Sequence, residues 1–183
     1  RCVQMDRYDV DSCAVGRTFT SDCIILRKHR VGEIHKGLVV LSEARGMVSA
    51  IAHGALKPGG RLASGTEPLT LTRASFYHDP VKDGYKVTEV AVLADFERIK
   101  RDVARTFTAS LWVEVVLRSL GAGVTDASLY HLLRESLEGL DRAPEAGVDR
   151  ADLQFLWRFL GLAGFRPDLD ACSACGARVD AEE

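Results

Sequence analysis

With 183 residues, 46% of them hydrophobic and 27% charged, the chain has enough apolar content to bury a core in one medium or two small domains. Its longest apolar runs, such as Leu38-Val39-Val40-Leu41 and Val113 to Leu117, fall far short of the roughly 18 residues a membrane-spanning helix requires. Five cysteines without a secretory signal argue against a disulfide framework and for a reducing, cytoplasmic setting. The net charge of −2 conceals an asymmetry: Asp22 to Arg105 carries 14 Lys+Arg against 10 Asp+Glu, whereas Thr106 to Glu183 carries 7 against 13. A basic half able to bind a polyanion is therefore joined to an acidic half.

Residues 1–21 contain Asp6, Asp9 and Asp11 and no apolar core, so they are expected to form a disordered leader rather than a signal peptide. Residues 22–95 read as short strands. Cys23-Ile24-Ile25-Leu26, Lys36 to Leu41, Met47 to Ala52, Leu69 to Tyr77 and Tyr85 to Leu93 are apolar or alternating runs at barrel-like spacing. Ser42-Glu43-Ala44-Arg45-Gly46 is expected as a hairpin loop closed by a glycine at positive φ, and Gly54 to Gly65 as a long flexible loop carrying two cations. Five antiparallel strands in about 70 residues predict a small closed barrel of the OB or SH3-like kind, the OB-fold being the commoner handler of single-stranded nucleic acid.

Residues 96–183 read as helices, giving an α+β fold overall. Phe96, Ile99, Val103, Phe107, Leu111 and Val115 recur at three- and four-residue steps and predict one long amphipathic helix ending near Gly121-Ala122-Gly123. Thr125 or Asp126 is expected to cap a second helix with a face of Leu129, Leu132, Leu133, Leu137 and Leu140. Asp149 to Gly164 is expected as a third, carrying Leu153, Leu156, Trp157, Leu160 and Leu162. Trp112, Phe155 and Phe159 lie off these stripes, which makes them the candidates for lining a partner groove.

Two features carry chemistry. Cys172-Ser173-Ala174-Cys175-Gly176 is half of a zinc knuckle: two thiolates can grip one edge of a tetrahedral metal, and a closed structural site needs two more N or S ligands. Cys2, Cys13 and Cys23 lie upstream without knuckle spacing. The second feature is the cation set Arg27, Lys28, Arg30, Lys36, Arg45, Lys57 and Arg61, expected as nucleic-acid backbone contacts. Among barrel aromatics only Phe76, Tyr77 and Tyr85 are available for base stacking, which favours binding through phosphates with little sequence preference. No phosphate-cradling Gly-rich motif, metal-binding His-Glu-x-x-His helix or nucleophile elbow is present. His29, His35, His53, His78 and His131 are scattered, so no catalytic residue is assigned.

In order of parts, and above all in Leu160-Gly161-Leu162-Ala163-Gly164-Phe165-Arg166-Pro167 running into the Cys172/Cys175 knuckle, the chain closely resembles the bacterial RecO family of recombination mediators. Gly46 to Pro58 and the Gly32-Glu33 pair add to the resemblance, which spans about Ser21 to Gly176. It implies an N-terminal OB-fold, a helical domain and often a four-cysteine zinc site. It also implies binding to single- and double-stranded DNA, annealing of complementary strands, and loading of RecA with RecR onto strands coated by single-strand binding protein, all in the bacterial cytoplasm in association with the nucleoid. The third strand departs from the family in placing Ser49 and His53 where Lys or Arg is frequent. The second Cys-x-x-Cys and final helices are not found, so a longer parent protein is expected. The acidic tail of single-strand binding protein requires an apolar pocket with local cations, for which Arg118, Arg134, Arg150 and Arg158 are the candidates. A protein-interaction adaptor, with the barrel as a spacer and no DNA activity of its own, is the alternative.

Overall fold

In the first strand, β1 (Thr18–Val31), the four residues Cys23 to Leu26 are all buried although alternate side chains must point to opposite faces. Both faces are therefore covered. The structure, a computed structural model, describes residues 17–57, 59–80, 84–119, 127–166, 168–172 and 174–178. Cys23 and Ile25 point inward and pack with Leu38, Val40, Val48, Phe76 and Val87, whereas Ile24 and Leu26 point outward into a second core built with the helices.

After β1 come β2 (His35–Ser42), β3 (Gly46–Ala52), β4 (Leu71–Asp79) and β5 (Gly84–Ala94), closed into a barrel in the order β1-β2-β3-β5-β4. The pairings are antiparallel except for β3 with β5, which is parallel through Ala50↔Tyr85 to Ala52↔Val87. This is an OB-type barrel followed by a helical domain, as the strand spacing predicts. β1 begins at Thr18, inside the stretch expected to be leader, because Phe19 and Ser21 continue the inward alternation and pair with β4. In the segment expected as a flexible loop, Ser64–Thr66 forms a 3-10 turn whose Gly65 and Thr66 are buried.

The helices are α1 (Glu97–Arg101), α2 (Val103–Ser119), α3 (Ala127–Arg142) and α4 (Val148–Leu162). The single long helix expected from residue 96 is two. Asp102 adopts an extended conformation, φ −115° and ψ 124°, and its side chain accepts a hydrogen bond from the Arg105 amide at 3.0 Å, capping the start of α2. The buried face of α2 is also not the expected one: Arg105, Ala109, Trp112, Val113 and Val116 face the core, while Val103, Phe107 and Leu111 are exposed. Arg105 selects that face. Its guanidinium donates to the carbonyls of Leu140 and Ala143, satisfying the unpaired C-terminal end of α3 from inside the core.

Trp112 and Phe155, expected at a partner groove, are core residues: both are fully buried, their rings stack at 4.7 Å, and Trp112 Nε1 donates to Asp152 at 2.7 Å. Phe159 packs half-buried against the same core. Conversely Leu153, Leu160 and Leu162, assigned to the buried face of α4, are exposed, and Val148 and Phe155 are the buried residues of that helix. All five leucines assigned to α3 are buried. The expected caps Thr125 and Asp126 and the glycine pair before them lie outside the described residues. Because Ile24, Leu26, Leu41, Leu69 and Leu71 share one cluster with the helical core, the helices are built directly onto the outer surface of the barrel.

Candidate nucleic-acid interface

Pairing register fixes what the outer surface of β1, β2 and β3 displays. Leu38, Val40, Val48 and Ala50 face inward, so the intervening Gly37, Val39, Met47, Ser49 and Ile51 face outward, with Arg27 and His29 beside them on β1. The surface bears little charge. His29 lies flat across Gly37, where an added Cβ would sit 2.2 Å from the imidazole, and His35 meets His53 ring to ring at 4.6 Å. The His35 Nδ1 accepts the Gly54 amide at 3.0 Å, and the Leu56 amide donates to Ile34 at 3.0 Å; together these fasten the segment after β3 to the β1–β2 turn.

The seven expected phosphate contacts separate into groups. Arg27 pairs with Glu114 of α2 at 3.0 Å and Lys28 pairs with Glu67, so both positive charges are compensated at the surface. Lys36 departs from expectation: its side chain is 6% exposed and its ammonium is held by Ala63 O, Thr66 Oγ1 and Glu67 Oε1 inside the barrel end. The cause is the strand alternation, since Lys36 shares the inward face with Leu38 and Val40. Arg30 is exposed and donates to the carbonyls of Gly32 and Glu33. Arg45, Lys57 and Arg61 are exposed too, and among the described residues none of these four has a carboxylate partner. Arg30 and Lys57 lie toward one end of the β2–β3 face and Arg45 lies at the other. Arg61 opens toward a shallow depression lined by Thr20, Arg73, Ser75, Thr88 and Glu89 together with Leu62 and Val90. There Arg73 is held by both oxygens of Asp22, at 2.6 and 3.1 Å.

Sequence reasoning missed one cluster. Phe19, left in the leader, stacks on Phe76 at 4.8 Å and meets Tyr85 edge-on at 5.6 Å, and the Arg45 guanidinium lies 4.2 Å above its ring. The available signal was the alternation of Phe19, Ser21, Cys23 and Ile25 with the barrel interior.

At the C-terminal end, Cys172 and Cys175 stand on a tight turn in which the Gly176 amide donates to Cys172 O and the Cys172 amide to Ala177 O, with Gly176 at φ +73°. The amides of Ala174 and Cys175, and the Cys175 thiol, lower the pKa of Cys172, which is the polarity a metal-binding thiolate requires. Two thiolates at this spacing can supply one edge of a zinc tetrahedron. No group of three or more His, Cys, Asp or Glu side chains able to hold a metal occurs among the described residues, so the site is not completed there. Cys23 is not a hidden ligand: it is fully buried in the barrel and burial pushes its thiol up to about 12. Cys2 and Cys13 lie outside the described residues.

Between α3 and α4 runs a mostly apolar groove of about 930 Å³ whose lining includes Leu153, Trp157, Leu169, Arg150 and Arg158. It gathers two of the four arginines expected at a partner pocket. The others are engaged elsewhere, Arg118 with Glu114 and Arg134 with Glu138, and within the groove Arg158 is paired with Glu135 at 2.8 Å.

The molecule thus belongs to the class built from an OB-type barrel with a helical domain docked on its flank. Its two parts match two family models, "Recombination protein O N terminal" over residues 17–96 and "Recombination protein O C terminal" over residues 100–183. The chain belongs to the RecO family. It is 33% identical over 163 residues to the DNA repair protein RecO of Desulfosudis oleivorans, covering 88% of this chain and 62% of that protein. It is also 33% identical over 164 residues to the DNA repair protein RecO of Heliobacterium modesticaldum, covering 90% and 58%. The chain therefore spans about three fifths of the length of these curated relatives. No helix among the described residues is long and apolar enough to cross a membrane.

Proposed function

We propose that this chain engages DNA through its barrel, on single and double strands, as part of a cytoplasmic, nucleoid-associated recombination mediator that anneals complementary strands and assists RecA loading with RecR. The observation that carries this reading is the set of barrel cations without carboxylate partners among the described residues: Arg30 and Lys57 toward one end of β2 and β3, Arg45 at the other end, and Arg61 beside the outer face of β4 and β5. Strands 2 and 3 and their adjoining loops are where OB-folds hold oligonucleotides. β3 spans seven residues, about 20 Å of extended chain, so the cations at its two ends can reach phosphates several nucleotides apart on one strand. Annealing needs no catalytic residue, because neutralising phosphates on both strands lowers their mutual repulsion.

The α3–α4 groove supports a docking role for the acidic helical domain. Its apolar lining with Arg150, and with Arg158 once it exchanges Glu135 for an incoming carboxylate, suits an acidic, apolar segment such as the tail of single-strand binding protein. Zinc at Cys172 and Cys175 would need two further ligands to stabilise the end of this domain, and would take no part in DNA contact. The test is annealing of complementary oligonucleotides, bare and coated with single-strand binding protein. Acceleration in both cases is expected. Failure to bind either strand removes the reading, and capture of the tail peptide without DNA binding favours the adaptor alternative.

A further inference from the structure

The geometry points to a socket for one unpaired nucleobase at the barrel end closed by Arg45, an inference that rests on the DNA-binding reading and adds to its phosphate contacts. Phe76, Phe19 and Arg45 form three successive layers. The Phe76 ring is fully buried, Phe19 stacks on it at 4.8 Å with an interplanar angle of 18°, and the Arg45 guanidinium sits 4.2 Å from the Phe19 centroid. With Phe76 against one face of Phe19, the guanidinium occupies the other, and its own outer face meets solvent.

Arg45 Nη1 donates to the Tyr85 hydroxyl at 3.1 Å, and Tyr85 in turn meets Phe19 edge-on and the His78 ring at 5.0 Å. These contacts hold the guanidinium against the Phe19 ring. Among the described residues no carboxylate competes for it. This differs from Arg27, Arg73 and Lys86 on the same barrel, each of which is bound to an acid. A planar cation held by its π face and one N–H, with its other donors outward, can stack a base and bond the adjacent phosphate together. Only a base without a partner can add itself to the stack, since a paired base is covered on both faces by its neighbours. The socket therefore distinguishes single strands from duplex, which phosphate contacts alone do not.

The experiment compares oligo(dT) with an abasic oligonucleotide of equal length and charge, binding to the wild-type chain and to Arg45→Lys, which keeps the charge and removes the plane. Arg45 is exposed, so the variant is expected to keep the wild-type melting temperature. Stacking of one base corresponds to about tenfold in affinity. The wild type should bind oligo(dT) about tenfold tighter than the abasic strand. Arg45→Lys should lose that preference, its affinities for the two strands becoming equal. Equal binding of both strands by the wild type, or an undiminished preference in Arg45→Lys, overturns the socket and leaves phosphate binding standing. Absence of binding to either strand overturns the DNA-binding reading and the socket with it.

Discussion

Lys36 Nζ lies 2.7 Å from Glu67 Oε1, joining the start of β2 to the segment that closes the barrel end, while Lys28 holds the other carboxylate oxygen. Burial raises the Glu67 pKa, but the hydrogen bonds and charges of Lys28 and Lys36 outweigh it and leave the carboxyl below its ordinary range. A lowered carboxyl pKa contributes stability that is complete above the unfolded value of about 4.3 and is lost as pH falls through the folded value. Glu67→Gln should leave the Lys36 ammonium buried without a counter-charge and cost about 2 kcal/mol at neutral pH, less than a fully buried pair because Glu67 is 39% exposed. It should also flatten the loss of stability on acidification in that window. Lys36→Met should stay within about 1 kcal/mol of wild type and leave oligonucleotide affinity unchanged. Chemical denaturation at pH 7 and pH 4 measures both variants.

Trp112 ties α2 to α4 through its stack on Phe155 and its bond to Asp152. Trp112→Ala should destabilise the chain by about 3–5 kcal/mol. Trp112→Phe keeps an aromatic ring against Phe155 but removes the donor to Asp152 and the volume of the second ring, for a smaller loss of about 1–3 kcal/mol. Equal, small losses in a denaturant titration would mean that these helices are not held by this pair.

What the sequence made legible follows from how many faces each element buries. α3 buries one, so its leucines at three- and four-residue steps identify themselves. α2 is apolar nearly all round, and periodicity alone could not choose between the Val103–Phe107–Leu111 stripe and the Trp112–Val116 side. That choice is made by Arg105 reaching the end of α3, a tertiary contact with no local signature. Lys36 differs for another reason: its charge points to the surface, but its alternation with Leu38 and Val40 places it on the inward face. Phe19 was overlooked because a lack of apolar residues in the preceding segment hid the start of β1. A closed five-strand barrel, by contrast, is implied by strand spacing, whereas its order and the parallel pairing of β3 with β5 have no local signature.

The shared core has a consequence for dissection of the molecule. A version ending near Asp95 would expose Ile24, Leu26, Leu41, Leu69 and Leu71 to water. It should aggregate or melt well below the intact chain, as scanning calorimetry with light scattering would record. A soluble barrel with an unchanged melting temperature would show that the two parts fold independently.

Two thiolates leave a zinc ion half coordinated, so metal analysis of the purified chain should give substoichiometric, readily chelated zinc, and Cys172→Ser should not alter the melting temperature. One tightly held zinc per monomeric chain would contradict this and require ligands outside the described residues.

The central claim, that the barrel's uncompensated cations grip the DNA backbone, is tested most directly by the salt dependence of single-strand binding in Lys57→Ala/Arg61→Ala. Each lost phosphate contact should reduce the slope of log K against log salt by about 0.7, so the double variant should lose about 1.4 and bind more weakly at low salt. An unchanged affinity and slope in a folded double variant would contradict the claim.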